Sequence, residues 1–501
     1  MNKCDETSSE TAIASETPEP ALGLPAHGHE VMRIFGKNTL WLLLDRAGLK
    51  VGAMLAGLAL IGYLGPANVG IYTTAIAIGA LLNTILDLGL TRYAARTVAA
   101  APQEAPAILA LSLTTTVLPS FVELAALAVA YSTGHWYAAC LCLGFIFTNL
   151  EGTSSLCTGI LSADLRSRSV LPGSILSTLG VLAMIVLVVH FKLSVLALLA
   201  GLAVKSVVVL VFRLSQLRDY WPTSISYFLP AEFSLLVKKS WSYFSYSLTQ
   251  MGYEKVTIVA FGLVATHEQV GLLAAALTIA YIFPSFTYAA SDALLPVMTR
   301  LYEAGRVADL LELRQRLMNL LLFLCVPVGI ILAVFAPEIC RLLGSRFVAS
   351  APILRITASR SVLSVLDNFL GQAGLTAVSK VAERRNSQAA GLAVCAVLTI
   401  IFGFYWGAVG AAVATFIADG LILVRYLKIY SRAGLPVESP AVWTTVPAGA
   451  AMLLACFALP AVWWPLRAGI SLACFVIVVT LIAPRRMAET ASTFRQCFIW
   501  V

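Results

Sequence analysis

Runs of about twenty apolar residues recur from residue 41 to residue 483, and they dictate what this chain can fold into. About 20 such residues in an α-helix span the hydrocarbon core of a bilayer, whereas a barrel strand needs only about 9–11. Inside lipid every backbone N–H and C=O must be paired within the protein, so only helices and closed barrels cross. The short alternating segments of a barrel are absent here. Composition then separates membrane spans from the buried helices of a water-soluble protein. Hydrophobic residues make up 59% of the 501 residues, and charged residues only 12%, against about 25% in soluble domains. Mean hydropathy is +0.86. The chain is therefore expected to be an all-α polytopic membrane protein, and a cytosolic enzyme is excluded.

The pattern predicts about fourteen transmembrane helices, near 41–64, 69–91, 106–131, 136–161, 170–191, 194–214, 240–264, 270–294, 317–336, 350–376, 389–404, 406–427, 441–461 and 465–483. Residues 1–38 are polar and rich in Glu, Ser, Thr and Pro, and read as a disordered tail. The expected order is an N-lobe at 39–217, a linker at 218–238, a C-lobe at 239–430, two further helices at 431–484 and a tail at 485–501. Trp41, Trp136, Trp221, Trp241, Trp406, Trp443, Trp463 and Trp464 fall at proposed helix ends or in the linker, where amphipathic rings meet the bilayer interface. The ten cysteines lie mostly inside apolar runs with no CxxC or Cys/His spacing, so no metal site is expected.

Basic residues orient the map. With the N-terminus inside, 24 of the 34 Lys and Arg fall in cytoplasmic segments, five fall in external ones and five lie at membrane depth. That bias places both termini in the cytoplasm. A short internal repeat aligns Val69-Gly70-Ile71-Tyr72 with Val270-Gly271-Leu272-Leu273. Each opens the second helix of a six-helix block, so two parallel six-helix lobes are expected, with a substrate path between them.

Charges at membrane depth mark functional sites by default. Arg46 and Lys50 are four apart on one face of the first helix, where like charges repel, so water or an anion must lie opposite them. Through the repeat, Lys255 corresponds to position 54, one turn beyond Lys50 on that face. Lys205 and Arg360 add cations at mid-depth. These five are the candidate substrate-binding residues. Each also has a structural reading: Arg46 can snorkel to the interface, Lys205 can pair with a carboxylate, and Arg360 can pair with Asp367, two turns on. Asp45, Glu254, Asp87, Asp292 and Asp367 are candidates for coupling to a proton or sodium ion; no cofactor is otherwise expected. Gly403 and Gly407 have the small-xxx-small spacing of close helix packing.

No phosphate-binding G-x4-GK[ST] loop, HExxH or nucleophile elbow occurs, which argues against an ATP-driven pump or an enzyme. Leu64-Gly65-Pro66 with Val69-Gly70-Ile71-Tyr72, then Asp87-Leu88-Gly89-Leu90 with Arg92 and Arg96, resemble the opening of bacterial polysaccharide-biosynthesis flippases. So do Leu295-Pro296-Val297-Met298-Thr299-Arg300 and Leu342-Leu343-Gly344-Ser345-Arg346-Phe347. These proteins belong to the multidrug/oligosaccharidyl-lipid/polysaccharide exporter superfamily, and the resemblance spans about residues 40–430. It implies a cationic central cavity, alternating access, and flipping of undecaprenyl-pyrophosphate-linked oligosaccharide across the bacterial inner membrane for exopolysaccharide, capsule or O-antigen assembly. Membrane lipids, a polysaccharide polymerase and glycosyltransferases are the partners it implies; nucleic acid is not among them. Where many relatives carry an Asp in helix 7, this chain has Glu254-Lys255. The alternatives are a cation-coupled multidrug exporter of the same fold, which would want an acidic or aromatic cavity, a membrane-embedded assembly enzyme, and a scaffold subunit.

Overall fold

The computed structural model describes residues 49–163, 167–222, 227, 230–437, 442–459 and 463–482. The expected tails at 1–38 and 485–501 lie outside these residues, as do Asp45 and Arg46. Every regular element among the described residues is helical. In chain order they are α1 (49–64), α2 (66–87), α3 (Leu90–Ala100), α4 (Ala105–Ser132), α5 (Trp136–Ala163), α6 (Ser167–His190), α7 (Val195–Gln216) and α8 (Pro230–Gly262). There follow α9 (His267–Ala280), α10 (Ile282–Glu303), α11 (Val307–Val334), the short α12 (Ala336–Leu342), α13 (Ala351–Asp367), α14 (381–406), α15 (408–432), α16 (Val442–Ala458) and α17 (Trp464–Ile482).

Two glycines cut long apolar runs into pairs of helices. Gly65 (φ 75°) separates α1 from α2, and Gly407 (φ 58°) separates α14 from α15. Positive φ is strained for any residue with a Cβ. At Gly407 the chain reverses: Arg425 of α15 donates to Ser387 of α14, and Gly391 lies against Ile422. Gly407 therefore acts through its backbone angle and not as half of a packing pair, while Gly403 does pack, against Phe261.

Eight helices among the described residues are long and apolar enough to cross a membrane. Two of these are divided by Gly65 and Gly407, and α8, the α9–α10 pair, α13 and α16 bring the crossing segments to fourteen. Of these four, α8 and α13 are less apolar because they carry polar side chains that face other protein. The linker is shorter than expected. A 3-10 turn occupies Arg218–Tyr220, and α8 begins at Pro230, ten residues before the run that defined it, with proline in the first turn, where its missing N–H costs nothing.

Small residues let α2 sit at the centre. A Cβ added at Gly79 would lie 2.7 Å from the Gly144 carbonyl oxygen of α5. Against α9 the contact is reciprocal. A Cβ at Gly70 would lie 1.8 Å from the His267 carbonyl oxygen, and one at Gly271 would lie 1.8 Å from that of Pro66. Both partners stand four residues before the opposing glycine, so the contact has the two-fold relation that the repeat implies. The apolar cores follow the same plan. At the end holding Gly65 and His267, which the charge count assigns to the exterior (the outer end), one cluster joins Leu60, Val69, Leu198, Phe261, Val270 and Ala411. At the inner end there are separate clusters, around Ile108 and Ile160 in the first half and Phe369 and Tyr426 in the second. The bundle is joined at the end holding Gly65 and His267 and divided at the opposite end. Helices α16 and α17 pack beside it on α11, through Phe475 and Phe323.

Candidate functional site: two stacked chambers

The divided part of the bundle holds two chambers in series between α2 and α8. The outer chamber, about 400 Å³, is lined by Tyr72, Ile76, Lys255, Ile258, Leu277 and Tyr281, among others. The inner chamber, about 430 Å³, is lined by Asn83, Asp87, Arg92, Glu151, Gln250 and neighbours. Both volumes fall in the range of small-ligand sites, about 300–1,000 Å³. Glu254 borders both. The outer chamber sets Lys255, Glu254, Thr73, Thr278 and Ser285 among aliphatic and aromatic side chains, whereas eleven of the fifteen residues around the inner chamber are polar.

Local structure explains the inner lining. Asp87 ends α2, and its carboxylate accepts from the Thr91 N–H at 3.2 Å and from the Thr91 hydroxyl at 2.6 Å, holding the first turn of α3. Gly89 (φ 77°) makes the turn between them, and a Cβ there would lie 2.3 Å from the Phe244 nitrogen of α8. On α5, Gly152 leaves room for the Asn83 amide, which a Cβ would meet at 2.4 Å. Arg92 donates to Gln250 at 2.6 Å across the cleft and stacks over Tyr246, 4.5 Å from the ring centroid. Further contacts tie the same edges: Lys239 donates to Glu104 at 2.8 Å, and Arg96 to the Tyr243 hydroxyl at 3.4 Å. Backbone contact between glycines thus closes the outer end, and polar side chains bridge the inner one.

The candidate residues separate on this geometry. Lys255 is half-buried and lines the outer chamber; Glu254, next to it and exposed, lines both. Lys50 lies in the first turn of α1, and its side chain is outside the described set, as is that of Asp292. Lys205 and Arg360 line neither chamber. Lys205 forms an ion pair with Glu151, which also accepts from Ser206 at 2.8 Å. Arg360 does not pair with Asp367 on its own helix; it pairs with Asp419 of α15 at 2.8 Å, and both side chains are buried, 8% and 2% exposed. The physical reason is common to both: a buried cation without a carboxylate partner is costly, and the neighbouring helix supplies one. Arg360 also donates to the Tyr281 hydroxyl at 3.1 Å, directly behind the outer chamber. Asp367 is buried in the second half, where one carboxylate oxygen has no hydrogen-bond partner. Its neighbour Arg384 donates to Gln372 at 2.6 Å and to Tyr246.

Asn83, Arg92 and Gln250 were not singled out as site residues in the sequence, and Glu151 stood out only as a buried carboxylate. Arg92 counted as a cytoplasmic charge and as part of the family motif, and Gln250 carries no charge to mark it.

Against solved structures, the fold matches a lipid II flippase MurJ in an inward closed conformation (TM-score 0.67, 14% identity, 90% of this chain and 99% of that one). It also matches a multidrug resistance MATE family transporter of the MOP superfamily, inward-facing (TM-score 0.58, 18% identity, 76% and 95%). The Vibrio cholerae MATE transporter VcmN in its bent form gives a TM-score of 0.51 at 14% identity, over 82% and 100%. The chain thus shares the fold of these transporters. No curated protein matches the chain. Residues 35–302, more than half of the sequence, match the family described as polysaccharide biosynthesis protein, and the chain belongs to that family.

Proposed function

We propose that this protein flips a polyprenyl-pyrophosphate-linked oligosaccharide across the bacterial inner membrane by alternating access. The observation that carries this reading is the order of the chambers along the cleft. In the cytoplasmic leaflet such a lipid presents its tail towards mid-membrane, then its pyrophosphate, then its sugars nearest the cytoplasm. The cleft presents an outer chamber with Lys255 and the larger share of aliphatic side chains, then a more polar inner chamber that shares Glu254 with it, in the same order. In this reading Lys255, with Lys50 from α1, compensates the pyrophosphate. An ammonium near mid-membrane costs about 2.5–3.5 kcal/mol on insertion scales, and Lys255 has no carboxylate ion-pair partner among the described residues to offset it. The sugars are destined for exopolysaccharide, capsule or O-antigen, where a polymerase receives what glycosyltransferases have built. A proton or sodium gradient drives the cycle, with the buried Asp367 carboxylate as its acceptor. Both termini are cytoplasmic in this topology.

The test is polymer yield in a deletion strain carrying Lys255→Ala, with membrane protein level measured alongside. Export should fall strongly at normal protein level, Lys255→Arg should keep part of it, and Lys255→Glu should be worse than Ala. Normal export by Lys255→Ala would reject the assignment. The competing exporter reading draws on Glu254, a carboxylate that a cationic drug would meet in either chamber. Unchanged polymer with raised drug susceptibility in Glu254→Gln cells would favour it.

A further inference from the structure

We infer that the inner chamber is a carbohydrate subsite for a neutral, hydroxyl-rich sugar and that it rejects acidic sugars such as uronates; the inference rests on the flippase reading above. Three observations support it. First, the chamber has unused hydrogen-bonding capacity. The side chains of Asn83, Ser155, Ser247 and Glu254 line it with no hydrogen-bond partner within the described protein. A carboxylate only accepts, an amide both donates and accepts, and a hydroxyl does either. Such a set complements the hydroxyls of a sugar ring, each of which can donate and accept. Second, Phe147 and Met251 supply apolar surface among these polar groups, as the C–H face of a ring requires.

Third, the charge sign is wrong for an acidic sugar. Asp87, Glu151 and Glu254 surround the space. The one guanidinium among the lining residues, Arg92, already donates to Gln250 and stacks on Tyr246. Lys205 compensates Glu151 from outside the chamber; Arg92 attracts Asp87 from across the same space without an ion-pair contact, and Glu254 forms no ion pair among the described residues. A uronate placed here would face two carboxylates in a partly desolvated space, where repulsion is screened least. Hydroxyls would instead donate to those carboxylates in charge-assisted bonds. Lys255 lines the outer chamber only, while Glu254 is shared by the two, so the pyrophosphate end of the substrate meets an ammonium that the sugar end does not.

The experiment uses the full-length protein in nanodiscs and equilibrium binding of two synthetic lipids. Both carry the same polyprenyl pyrophosphate; one bears glucose and the other glucuronic acid. No ion gradient is applied, so coupling does not enter. The glucosyl lipid should bind at least about tenfold more tightly. Glu254→Gln, whose carboxylate has no protein hydrogen bond to lose, should shrink that ratio mainly by tightening the glucuronosyl lipid. Asp87→Asn with Glu254→Gln should bring it near unity. Equal binding of both lipids to the unmodified protein would overturn the subsite and leave the flippase reading standing. A ratio that persists in the double variant would also overturn it, because discrimination would then lie elsewhere. Binding of neither lipid would overturn the flippase reading and the subsite together.

Discussion

Replacing Gly271 by alanine should unseal the outer end. The added Cβ would lie 1.8 Å from the Pro66 carbonyl oxygen and 2.9 Å from the Gly70 nitrogen, both backbone atoms that no rotamer change can move. Bringing the first contact out to 3.4 Å requires α2 and α9 to part by about 1.6 Å. Overpacking of this kind costs about 1–3 kcal/mol, which at about 1.4 kcal/mol per tenfold reduces the sealed population about five- to a hundredfold relative to states in which the helices are apart. Thr278 lines the outer chamber, so a Thr278→Cys reporter probed from outside the cell with a membrane-impermeant maleimide reads the change. Labelling should rise several-fold in the Gly271→Ala background and further with Gly271→Val. Gly420→Ala is the control, because nothing lies within 4 Å of its added Cβ, and helix propensity should make it neutral or slightly stabilising. Labelling that stays at the parental level in Gly271→Ala, with the protein folded, would refute the glycine contact as the seal.

Three further outcomes follow from the same geometry. Arg360→Met should destabilise by about 3–5 kcal/mol because it strands the buried Asp419 carboxylate, and adding Asp419→Asn should recover most of the loss in a detergent thermal melt. Lys239→Glu should loosen the inner end and raise cytoplasmic-side labelling of a Ser247→Cys reporter; the swapped pair Lys239→Glu with Glu104→Lys should return it, although an exposed pair is worth only about 0.2–1 kcal/mol. Gly407→Ala should lower the melting temperature through strain at positive φ, by roughly 1–2 kcal/mol, without altering substrate preference.

The helices were legible because the bilayer dictates their length, and the hydropathy of each run reports it without reference to any neighbour. The repeat was legible for a related reason: Gly70 and Gly271 open equivalent helices, and the glycines that mark the alignment are the ones in contact. Pairing between helices was not. Arg360 and Asp367 lie two turns apart on one helix and read as a pair, yet the carboxylate that Arg360 meets, Asp419, comes from α15. Lys205 read equally as a cavity cation or as one half of an ion pair, because nothing local marks Glu151 as the carboxylate opposite it. The inner chamber was the least legible part. Asn83, Gln250, Ser155 and Ser247 are ordinary polar residues until four helices bring them around one space. Charge alone drew attention to the cations, and the described lining of the two chambers sets Lys255 and Arg92 beside Asp87, Glu151 and Glu254.

The seal between α2 and α9 is made by peptide groups meeting where two side chains are missing. It is the isologous contact of a symmetric dimer held within a single chain. Nothing in it depends on which residues line the chambers below. On the carbohydrate subsite proposed above, substitutions at Asn83, Asp87 or Glu254 would therefore retune which glycan is accepted while the moving parts keep their fit. A carrier built this way has a gate that can stay still while its recognition drifts.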